Sequence, residues 1–407
     1  MNFYAQNARW LVGGFLLAMF SGFGQTFYIS IWGAEIREAF DLSHGGFGLV
    51  YLVGTLASAL TMPFVGRLVD VTSVAVTASI VIVSLAIAAA SMAVVQSVWL
   101  LIVTIYLLRL FGQGMMTHTA ITAMGRWYSA NRGKAVSVAS IGHQFAEGLA
   151  PLTFVWIAGW LGWRGSWLAA SAVLLFVALP VIVLLMRVER VPQSATDVDG
   201  YAVETGRQWT RAEMLRDPLF WLAGLGIFSP AFIGTSIFFH QDYLIDLNGW
   251  SRTSYDLSFA VMAIITVSMS LLTGYAVDRF SAARLLPIFM APLAAACFVL
   301  GSFTNPATLF IFMVLLGLSY GMTSTLFGSI WPEVYGTRNL GSLRSVTVSL
   351  MVFMSAAGPG ATGALIDYGI PFTTQLIFMG MFCSVSIIAM WFASQGFLAR
   401  RRPVAPA

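Results

Sequence analysis

Charge is what this sequence has least of. Charged side chains make up 9% of its 407 residues, whereas they make up about 25% of an average soluble domain. Apolar side chains make up 58%, and the mean hydropathy is +0.83. A soluble globule needs far more charge to cover its surface. These values therefore exclude a soluble domain, a disordered chain and a nucleic-acid-binding protein, and they predict an integral membrane protein.

Cysteine and lysine are also scarce. The two cysteines, Cys297 and Cys383, lie in apolar stretches without C-x-x-C spacing, and we interpret them as packing residues. Lys134 is the only lysine, and the net charge of +4 is too small for a polyanion-binding surface. No H-E-x-x-H, G-x-S-x-G or Walker lysine motif occurs, and the G-x-G-x-x-G at 358–363 lies inside an apolar stretch. We predict no enzymatic activity, no metal and no cofactor.

Long apolar runs, in contrast, are abundant. A helix needs about 20 apolar residues to cross a hydrocarbon core about 30 Å thick. Twelve stretches meet this requirement, and we number them spans one to twelve. They are residues 10–31, 46–66, 74–95, 99–123, 135–158, 165–187, 218–240, 256–277, 284–304, 307–330, 343–366 and 372–396. The predicted fold is all-α, with twelve membrane-spanning helices.

The arginines indicate how the chain is oriented. Of the 21 basic residues, 17 fall on the side of the N-terminus, three (Arg37, Arg164 and Arg252) on the opposite side, and Arg109 within span four. Because basic loops remain cytoplasmic, both termini are predicted to lie in the cytoplasm. The expected location is the cell inner (plasma) membrane, crossed many times.

The longest polar stretch divides the chain into two sets of six spans. It predicts a first bundle at 1–187, a connector at 188–217 and a second bundle at 218–407. Thr210-x-x-Glu213 has the spacing of a capping box, which predicts a short helix before Pro218.

A repeat links the two sets. Gly66-Arg-Leu-Val-Asp70 recurs 208 residues later as Gly274-Tyr-Ala-Val-Asp278, and the same offset relates Gly133 to Gly341. We call residues 66–70 and 274–278 the two Gly-Asp turns. Because six spans separate the copies, they form a parallel repeat, an architecture typical of transporters that rock two halves around a central site.

These residues resemble a known family. Gly-x-x-x-Asp after span two, repeated after span eight, is similar to the loop motif of the major facilitator superfamily, and the resemblance covers the whole chain. Further stretches resemble the branch of monocarboxylate transporters and oxalate–formate exchangers: Gly125-Arg-Trp-Tyr128, Arg132-Gly-Lys-Ala135, Gly162-Trp-Arg164, Trp209-Thr-Arg-Ala-Glu213 and Asp217-Pro-Leu-Phe-Trp221. The resemblance implies the major facilitator fold and the transport of small organic molecules.

Some positions depart from that branch. Its members often hold carboxylates with a basic residue in span eight or eleven. Here span eight has none between Tyr255 and Asp278, and span eleven has none beyond Arg344. A dicarboxylate held in that way is not expected. Val71 also replaces the basic residue that follows the first turn in the family, whereas Arg279 keeps it in the second.

Two charges remain at mid-membrane, where an ionisable group costs about 2.5–3.5 kcal/mol. They are Arg109 in span four and Glu147 in span five. One interpretation is a structural salt bridge between the two helices. The other is that Arg109 faces a cavity, where it binds an anionic substrate or responds to protonation of Glu147. Arg109 also resembles the span-four arginine that the superfamily associates with proton coupling.

Other polar residues lie near these two charges. Gln113 is one turn from Arg109, and His143 and Gln144 lie one turn before Glu147. We predict that these residues and Gln25 of span one bind substrate or carry protons. The offset of 208 maps Arg109, His143 and Glu147 to Gly317, Met351 and Ser355, so this chemistry belongs to the first repeat alone.

Two further groups are candidate gates. His240 and Asp242, at the outer end of span seven, are candidates for an outer gate. Asp70 and Asp278 are predicted to close a cytoplasmic gate by pairing with Arg126 or Arg338, or with the N-terminus of a helix. Gly66, Gly274 and Arg279 belong to the same two turns.

The sequence therefore predicts a monomeric secondary transporter in the lipid bilayer. It is expected to move a small organic anion, most simply a monocarboxylate, by proton symport or exchange with alternating access. An alternative is a transporter or exporter of another small metabolite, such as a vitamin-like, aromatic or drug-like solute. A membrane-embedded enzyme and a non-transporting sensor are less well supported, because we find no catalytic motif and the connector at 188–217 is too short for a signalling domain.

Overall fold

The chain folds into helices joined by short connections. The computed structural model describes residues 3–42, 44–190 and 207–400, with the side chains at 30, 34, 44–45, 148–158, 239, 241–242, 252–253, 256 and 367 outside that description. All regular structure in these residues is helical, as predicted. The α-helices are Phe3–Phe20, Thr26–Ile31, Gly33–Phe40, His44–Val65, Leu68–Val71, Val74–Val94, Val98–Leu108, Thr117–Trp127, Arg132–Val173, Leu179–Met186, Arg211–Arg216, Pro218–Ile227, Ser229–Phe239, Gln241–Asn248, Arg252–Phe280, Ala282–Leu285, Met290–Ser302, Pro306–Tyr335, Leu340–Asp367 and Phe372–Ala399.

Ten helical segments of the described chain are long and apolar enough to cross a membrane. They coincide with spans two to four and six to twelve. Span one corresponds to a helix that is interrupted at Ser21–Gly24, and span five to the first part of Arg132–Val173. That long helix breaks at Gly162, where φ is +65°, and this break separates span five from span six. The fold is thus the predicted all-α arrangement of two parallel six-helix repeats.

Side chains near the loops cap the ends of several spans. Ser73, Ser97 and Asn305 accept a hydrogen bond from the backbone N–H three residues later, which caps the helices that follow them. At the other end of span three, the Nη1 of Arg164 donates to the carbonyls of Ala93 (2.9 Å) and Val95 (3.0 Å). These bonds satisfy backbone groups that have no partner within the helix.

Three spans of the first repeat depart from regular α-helix. Span one contains a 3₁₀ turn at Ser21–Gly24, span four is π-helical from Arg109 to Met116, and span six is π-helical from Leu174 to Ala178. Such π-helical insertions concentrate at functional sites because they redirect side chains. The backbones of spans one and four approach each other closely at their irregular segments. A Cβ at Gly24 would lie 2.1 Å from the Leu108 carbonyl oxygen, and a Cβ at Gly112 would lie 2.5 Å from the Gly24 Cα.

The chain divides into two compact units. The first contains Met1–Ser129, Val138–Val203 and Arg338–Val352, and the second contains Ala130–Ser137, Glu204–Thr337 and Phe353–Ala407. The start of span five therefore belongs to the second unit and the start of span eleven to the first. The predicted bundle boundaries at 1–187, 188–217 and 218–407 stay a prediction, and residues 191–206 of the connector lie outside the described chain.

The connector ends as the capping-box spacing predicts. The Thr210 hydroxyl accepts from the Glu213 N–H, and the Glu213 carboxylate accepts from the Thr210 N–H at 2.7 Å. The hydrogen bonds that the carboxylate accepts from the Thr210 N–H, from Arg207 and from the Thr210 hydroxyl lower the pKa of Glu213 to about 2. The helix Arg211–Arg216 that follows is only six residues long, because Asp217 then caps the next helix at Pro218.

Candidate functional site

Arg109 lies at the first residue of the π-helical segment and is 1% exposed. Its Nη1 donates to the Thr26 hydroxyl at 3.0 Å and approaches the Gly24 carbonyl oxygen at 3.4 Å. The guanidinium carbon lies 5.4 Å from the centre of the Tyr51 ring, and the Tyr51 hydroxyl donates to Thr26 at 2.8 Å. Arg109 is therefore held by neutral groups of spans one and two.

The interruption of span one creates this arrangement. A regular helix would use the Gly24 carbonyl for its own hydrogen bonding, whereas the 3₁₀ turn leaves it facing Arg109. Gln25 supports the turn, because its Nε2 donates to the Ser21 hydroxyl (3.3 Å) and the Thr117 hydroxyl (3.4 Å). Gln25, predicted to bind substrate, thus braces spans one and four in this structure.

Arg109 and Glu147 do not form the structural salt bridge that was one interpretation of their sequence positions. Within the described chain, no carboxylate oxygen lies within ion-pair distance of Arg109. The reason is that the guanidinium points to the break in span one. Span five also packs on span one: a Cβ at Gly142 would lie 2.2 Å from the Phe15 carbonyl oxygen. Span one therefore contacts both span four and span five.

Several polar atoms of spans four and five are buried without a hydrogen-bond partner in the described part of the protein. They are Arg109 Nε, Gln113 Oε1, His143 Nδ1 and Gln144 Oε1. His143 packs on Phe27, with ring centres 5.8 Å apart, and the neighbouring Thr26 holds Arg109. Burying such atoms unpaired costs about 1–3 kcal/mol each, and functional sites are among the places where it is tolerated. We call these residues and Glu147 the mid-span site, and their role in binding or proton transfer stays a prediction.

The first Gly-Asp turn makes the contacts expected of a gate. The Asp70 carboxylate accepts from the N–H groups of Gly341 (2.7 Å) and Ser342 (2.6 Å), which belong to the first turn of span eleven. Arg126 forms an ion pair with Asp70 and donates to the Val69 carbonyl at 2.9 Å. A carboxylate at a helix N-terminus is favoured both by the unpaired N–H groups and by the helix dipole.

The second Gly-Asp turn repeats this geometry. The Asp278 carboxylate accepts from the N–H groups of Gly133 (2.6 Å) and Lys134 (3.2 Å) at the start of span five. The Lys134 ammonium lies 4.0 Å from the same carboxylate. Arg279, expected to take part in this turn, instead has its guanidinium 5.6 Å from the centre of the Phe280 ring.

The glycines of the two turns permit close packing. A Cβ at Gly66 would lie 2.3 Å from the Ser345 Cβ, and a Cβ at Gly274 would lie 2.7 Å from the Ser137 hydroxyl. Ser137 and Ser345 are again 208 residues apart. The repeat found in the sequence is therefore also a repeat of contacts.

His240 connects two spans of the second unit. Its Nε2 lies 3.0 Å from the Thr362 hydroxyl, so it joins span seven to span eleven. The side chain of Asp242, the second outer-gate candidate, lies outside the described residues. A role of this pair as a gate stays a prediction.

Two groups with hydrogen bonds between distant parts of the chain were not among the predicted site residues. Asp217 accepts from Arg400 at 2.6 and 2.8 Å and from the Tyr335 hydroxyl at 2.9 Å. Burial alone would raise the pKa of Asp217, but the hydrogen bonds from Arg400, Tyr335 and the Leu219 N–H lower it below its ordinary value. The spacing of a helix cap, Asp217-Pro218, was the only local signal, since Arg400 is distant in the chain.

The second group is His118, which the helical spacing places half a turn away from the face of Arg109. Its Nε2 lies 3.0 Å from the Gly66 carbonyl oxygen, at the start of the first Gly-Asp turn. The two residues are 52 positions apart, and no motif in the sequence relates them.

Comparison with known proteins agrees with this architecture. The family model described as Major Facilitator Superfamily matches residues 14–359 and again 232–406. The chain belongs to the major facilitator superfamily and is a multi-pass membrane protein. The resemblance to the branch of monocarboxylate transporters and oxalate–formate exchangers is not established by this match.

Solved structures of transporters share the fold. The human organic anion transporter MFSD10 superposes with a TM-score of 0.72 at 13% identity, covering 94% of this chain and 99% of that one. The E. coli fucose:proton symporter FucP gives 0.71 at 13%, covering 97% and 99%. The proton:xylose symporter XylE, bound to 6-bromo-6-deoxy-D-glucose, gives 0.74 at 15%, covering 96% of each chain. No curated protein sequence matches the chain.

Proposed function

We propose that this protein is a secondary transporter that moves a small organic anion, in the simplest case a monocarboxylate, by proton symport or exchange. The proposal rests on the surroundings of Arg109. It is a buried guanidinium with neutral partners and an Nε that has none in the described chain. A carboxylate is the group that matches a guanidinium best, because it accepts two parallel hydrogen bonds.

Proton coupling is proposed for Glu147 and His143. They are the titratable residues of span five near the break in span one, and neither forms an ion pair within the described residues. Ionisable side chains within membrane spans frequently form proton relays. The mid-span site therefore combines a fixed cation with groups that can gain and lose a proton.

Alternating access is proposed to use the two Gly-Asp turns. Each turn attaches the end of one span to the N-terminus of another through hydrogen bonds to a single carboxylate. Such contacts can break and re-form without unfolding a helix. In the orientation that the arginines predict, both lie on the cytoplasmic side.

A neutral solute is the alternative, because the proteins that share this fold are named for cargo of both kinds. Two of the proteins that share this fold are named as sugar symporters, and one as an organic anion transporter. Gln113 and Gln144 would suit a sugar or another hydroxylated metabolite equally well. The fold itself therefore does not select between these classes, and Arg109 is what favours the anion.

Uptake into proteoliposomes tests the proposal. Purified protein is reconstituted, and a panel of labelled monocarboxylates, sugars, vitamins and aromatic compounds is offered with and without an inward proton gradient. We expect uptake of at least one monocarboxylate. In a symporter the gradient stimulates it and a protonophore abolishes that stimulation, whereas in an exchanger uptake requires internal anion. Uptake of only neutral solutes would contradict the anion assignment.

A further inference from the structure

His118 is a buried histidine that the transport mechanism above does not use. It lies in the helix Thr117–Trp127 of span four and is 1% exposed. Its Nε2 lies 3.0 Å from the carbonyl oxygen of Gly66. Gly66 begins the first Gly-Asp turn, four residues before Asp70. The imidazole therefore ties span four to the turn that carries the Asp70 carboxylate.

The hydrogen bond defines which ring nitrogen carries the proton. A carbonyl oxygen only accepts, so Nε2 must be the donor, and in the neutral ring Nδ1 then has a lone pair. Nδ1 is buried and has no hydrogen-bond partner in the described chain. A second proton would place a positive charge on a ring that is only 1% exposed.

The surroundings of the ring leave little room for movement. The backbone of Gly66 packs against span eleven, where a Cβ at Gly66 would lie 2.3 Å from the Ser345 Cβ. The Ser345 hydroxyl donates to Ser342 at 2.9 Å and lies 3.5 Å from the Pro63 carbonyl oxygen. The backbone of Gly341 also lies within hydrogen-bonding reach of the ring. His118 thus sits between the two elements that the Asp70 contact joins.

The charges around the ring are predominantly positive. Arg126 of span four and Arg344 of span eleven both act on His118. Asp70 is the nearby anion, but its oxygens already accept from Arg126 and from two backbone N–H groups. Span three has no titratable side chain, and Arg9 of span one is engaged with the carbonyls of Leu184 and Leu185. A protonated ring would therefore face two cations.

We propose that His118 is a positioning residue of the Asp70 contact: its neutral ring holds the first Gly-Asp turn against span eleven, and protonation of the ring releases the turn. The inference rests on the proposed function insofar as it treats the Asp70 contact as a gate. Acid on the side of the turn then favours opening, because the open arrangement lets water solvate the charged ring and removes it from the two cations.

The repeat supplies an internal comparison. The position 208 residues after His118 is Leu326, which is buried and does not titrate. The second Gly-Asp turn therefore lacks the histidine although its carboxylate contacts are the same. Only the first turn is expected to respond to pH through this position.

Cysteine labelling at the contact tests the proposal without a substrate. The reporter is Ser345→Cys, in protein whose Cys297 and Cys383 are replaced by Ala. Its labelling rate by a maleimide is divided by that of Val71→Cys, an exposed position, so that the effect of pH on the reagent cancels. In the otherwise wild-type protein we expect this ratio to rise about ten-fold from about pH 7.5 to about pH 5.5, the range in which histidine titrates.

Variants at His118 separate its two roles. His118→Gln keeps an N–H donor but does not titrate, so its ratio should stay low at both pH values. His118→Leu removes the donor, so its ratio should be high at both. Ser171→Ala is the matched control, because it also removes one buried hydrogen bond between two spans, to the Ala86 carbonyl at 2.8 Å. It should behave as the wild type.

A ratio independent of pH in the wild type, or a pH response retained by His118→Gln, would overturn the proposal. His118→Gln keeps the test decisive if His118→Leu does not fold. The labelling result is also separable from transport. A pH response confined to proteins with His118, in a chain that carries no monocarboxylate, would support the role of His118 and reject the transported substrate class.

Discussion

The two Gly-Asp turns are close copies of one another, whereas the mid-membrane regions of the two repeats are not. Asp70 and Asp278 each accept from two successive backbone N–H groups at the start of a span. In contrast, Arg109, His143 and Glu147 correspond to Gly317, Met351 and Ser355. The carboxylate contacts are thus present in both repeats, whereas the titratable mid-membrane residues are present only in the first.

The counterpart of Arg109 shows what replaces the charge. A Cβ at Gly317 would lie 2.8 Å from the Met262 carbonyl oxygen, so this position lets span ten pack closely against span eight. Where the first repeat has a buried cation, the second has helix packing. We infer that gating is shared between the repeats and that recognition of the anion belongs to the first.

The largest effect is expected at Arg109. Arg109→Gln should lower monocarboxylate uptake about 100-fold, because losing a charge-assisted hydrogen bond to a carboxylate costs about 3 kcal/mol. Initial rates in proteoliposomes measure this effect. Arg164→Gln, which removes the arginine that caps span three, is the control and should retain uptake. Equal losses in both variants would point to general destabilisation and remove the distinction between the repeats.

The next effect concerns proton coupling. Glu147→Gln should lower proton-driven uptake about ten-fold while leaving exchange of internal for external anion intact, because a neutral amide cannot carry the proton. Ser355→Ala, at the corresponding position of the second repeat, should have little effect on either mode. The comparison between the repeats fails if Ser355→Ala reproduces the loss, or if Glu147→Gln still accumulates substrate in response to a proton gradient.

The two turns should behave alike. Asp70→Asn and Asp278→Asn should each reduce the transport rate about five-fold, since replacing a charged acceptor weakens a helix-terminal contact by about 1 kcal/mol. Substrate affinity should be unchanged in both, as measured by binding to detergent-solubilised protein. Loss of binding in either variant would contradict the gate assignment, and an effect in only one would end the equivalence of the turns.

The smallest effect is expected at Asp217, at the end of the connector. This residue lies outside both the Gly-Asp turns and the mid-membrane regions. Asp217→Asn should lower the free energy of unfolding by about 1 kcal/mol, a small value because Arg400 is partly exposed and screened by solvent. Since the pKa of Asp217 is lowered in the folded protein, its contribution is present above the ordinary carboxyl range and is lost as pH falls through the folded value. Thermal unfolding as a function of pH checks this.

The control for that experiment is the exposed pair of Arg207 and Glu213, which are 2.7 Å apart. Arg207→Gln should change stability less than Asp217→Asn does. A larger effect of Arg207→Gln would show that the buried position of Asp217 contributes nothing.

Much of the fold follows from local sequence. Length and polarity define the spans, the offset of 208 relates the two Gly-Asp turns, and Thr210 and Glu213 predict the capping box that the structure contains. These features depend on residues close in the chain or on a simple period. The pairing of Asp70 with Arg126 and with a helix N-terminus also follows, because both partners were expected on one side of the membrane.

The mid-span site was only partly predictable. Arg109 and Glu147 are evident as charges in apolar stretches, but their partners are not. The 3₁₀ turn at Ser21–Gly24 and the π-helical segment Arg109–Met116 meet where Gly24 contacts Gly112, which are far apart in the chain. Arg109 contacts Thr26 beside this meeting point. His118 was not among the predicted site residues, since its partner Gly66 belongs to another span.

The most direct test of the account is binding of monocarboxylates to purified wild-type protein and to Arg109→Gln, measured by the shift in unfolding temperature. A ligand that binds only the folded state stabilises it by about 2.7 kcal/mol at a concentration of about 100 Kd. The account predicts that at least one monocarboxylate stabilises the wild type and that the shift is lost in Arg109→Gln. An equal shift in both proteins would contradict an anion site at Arg109.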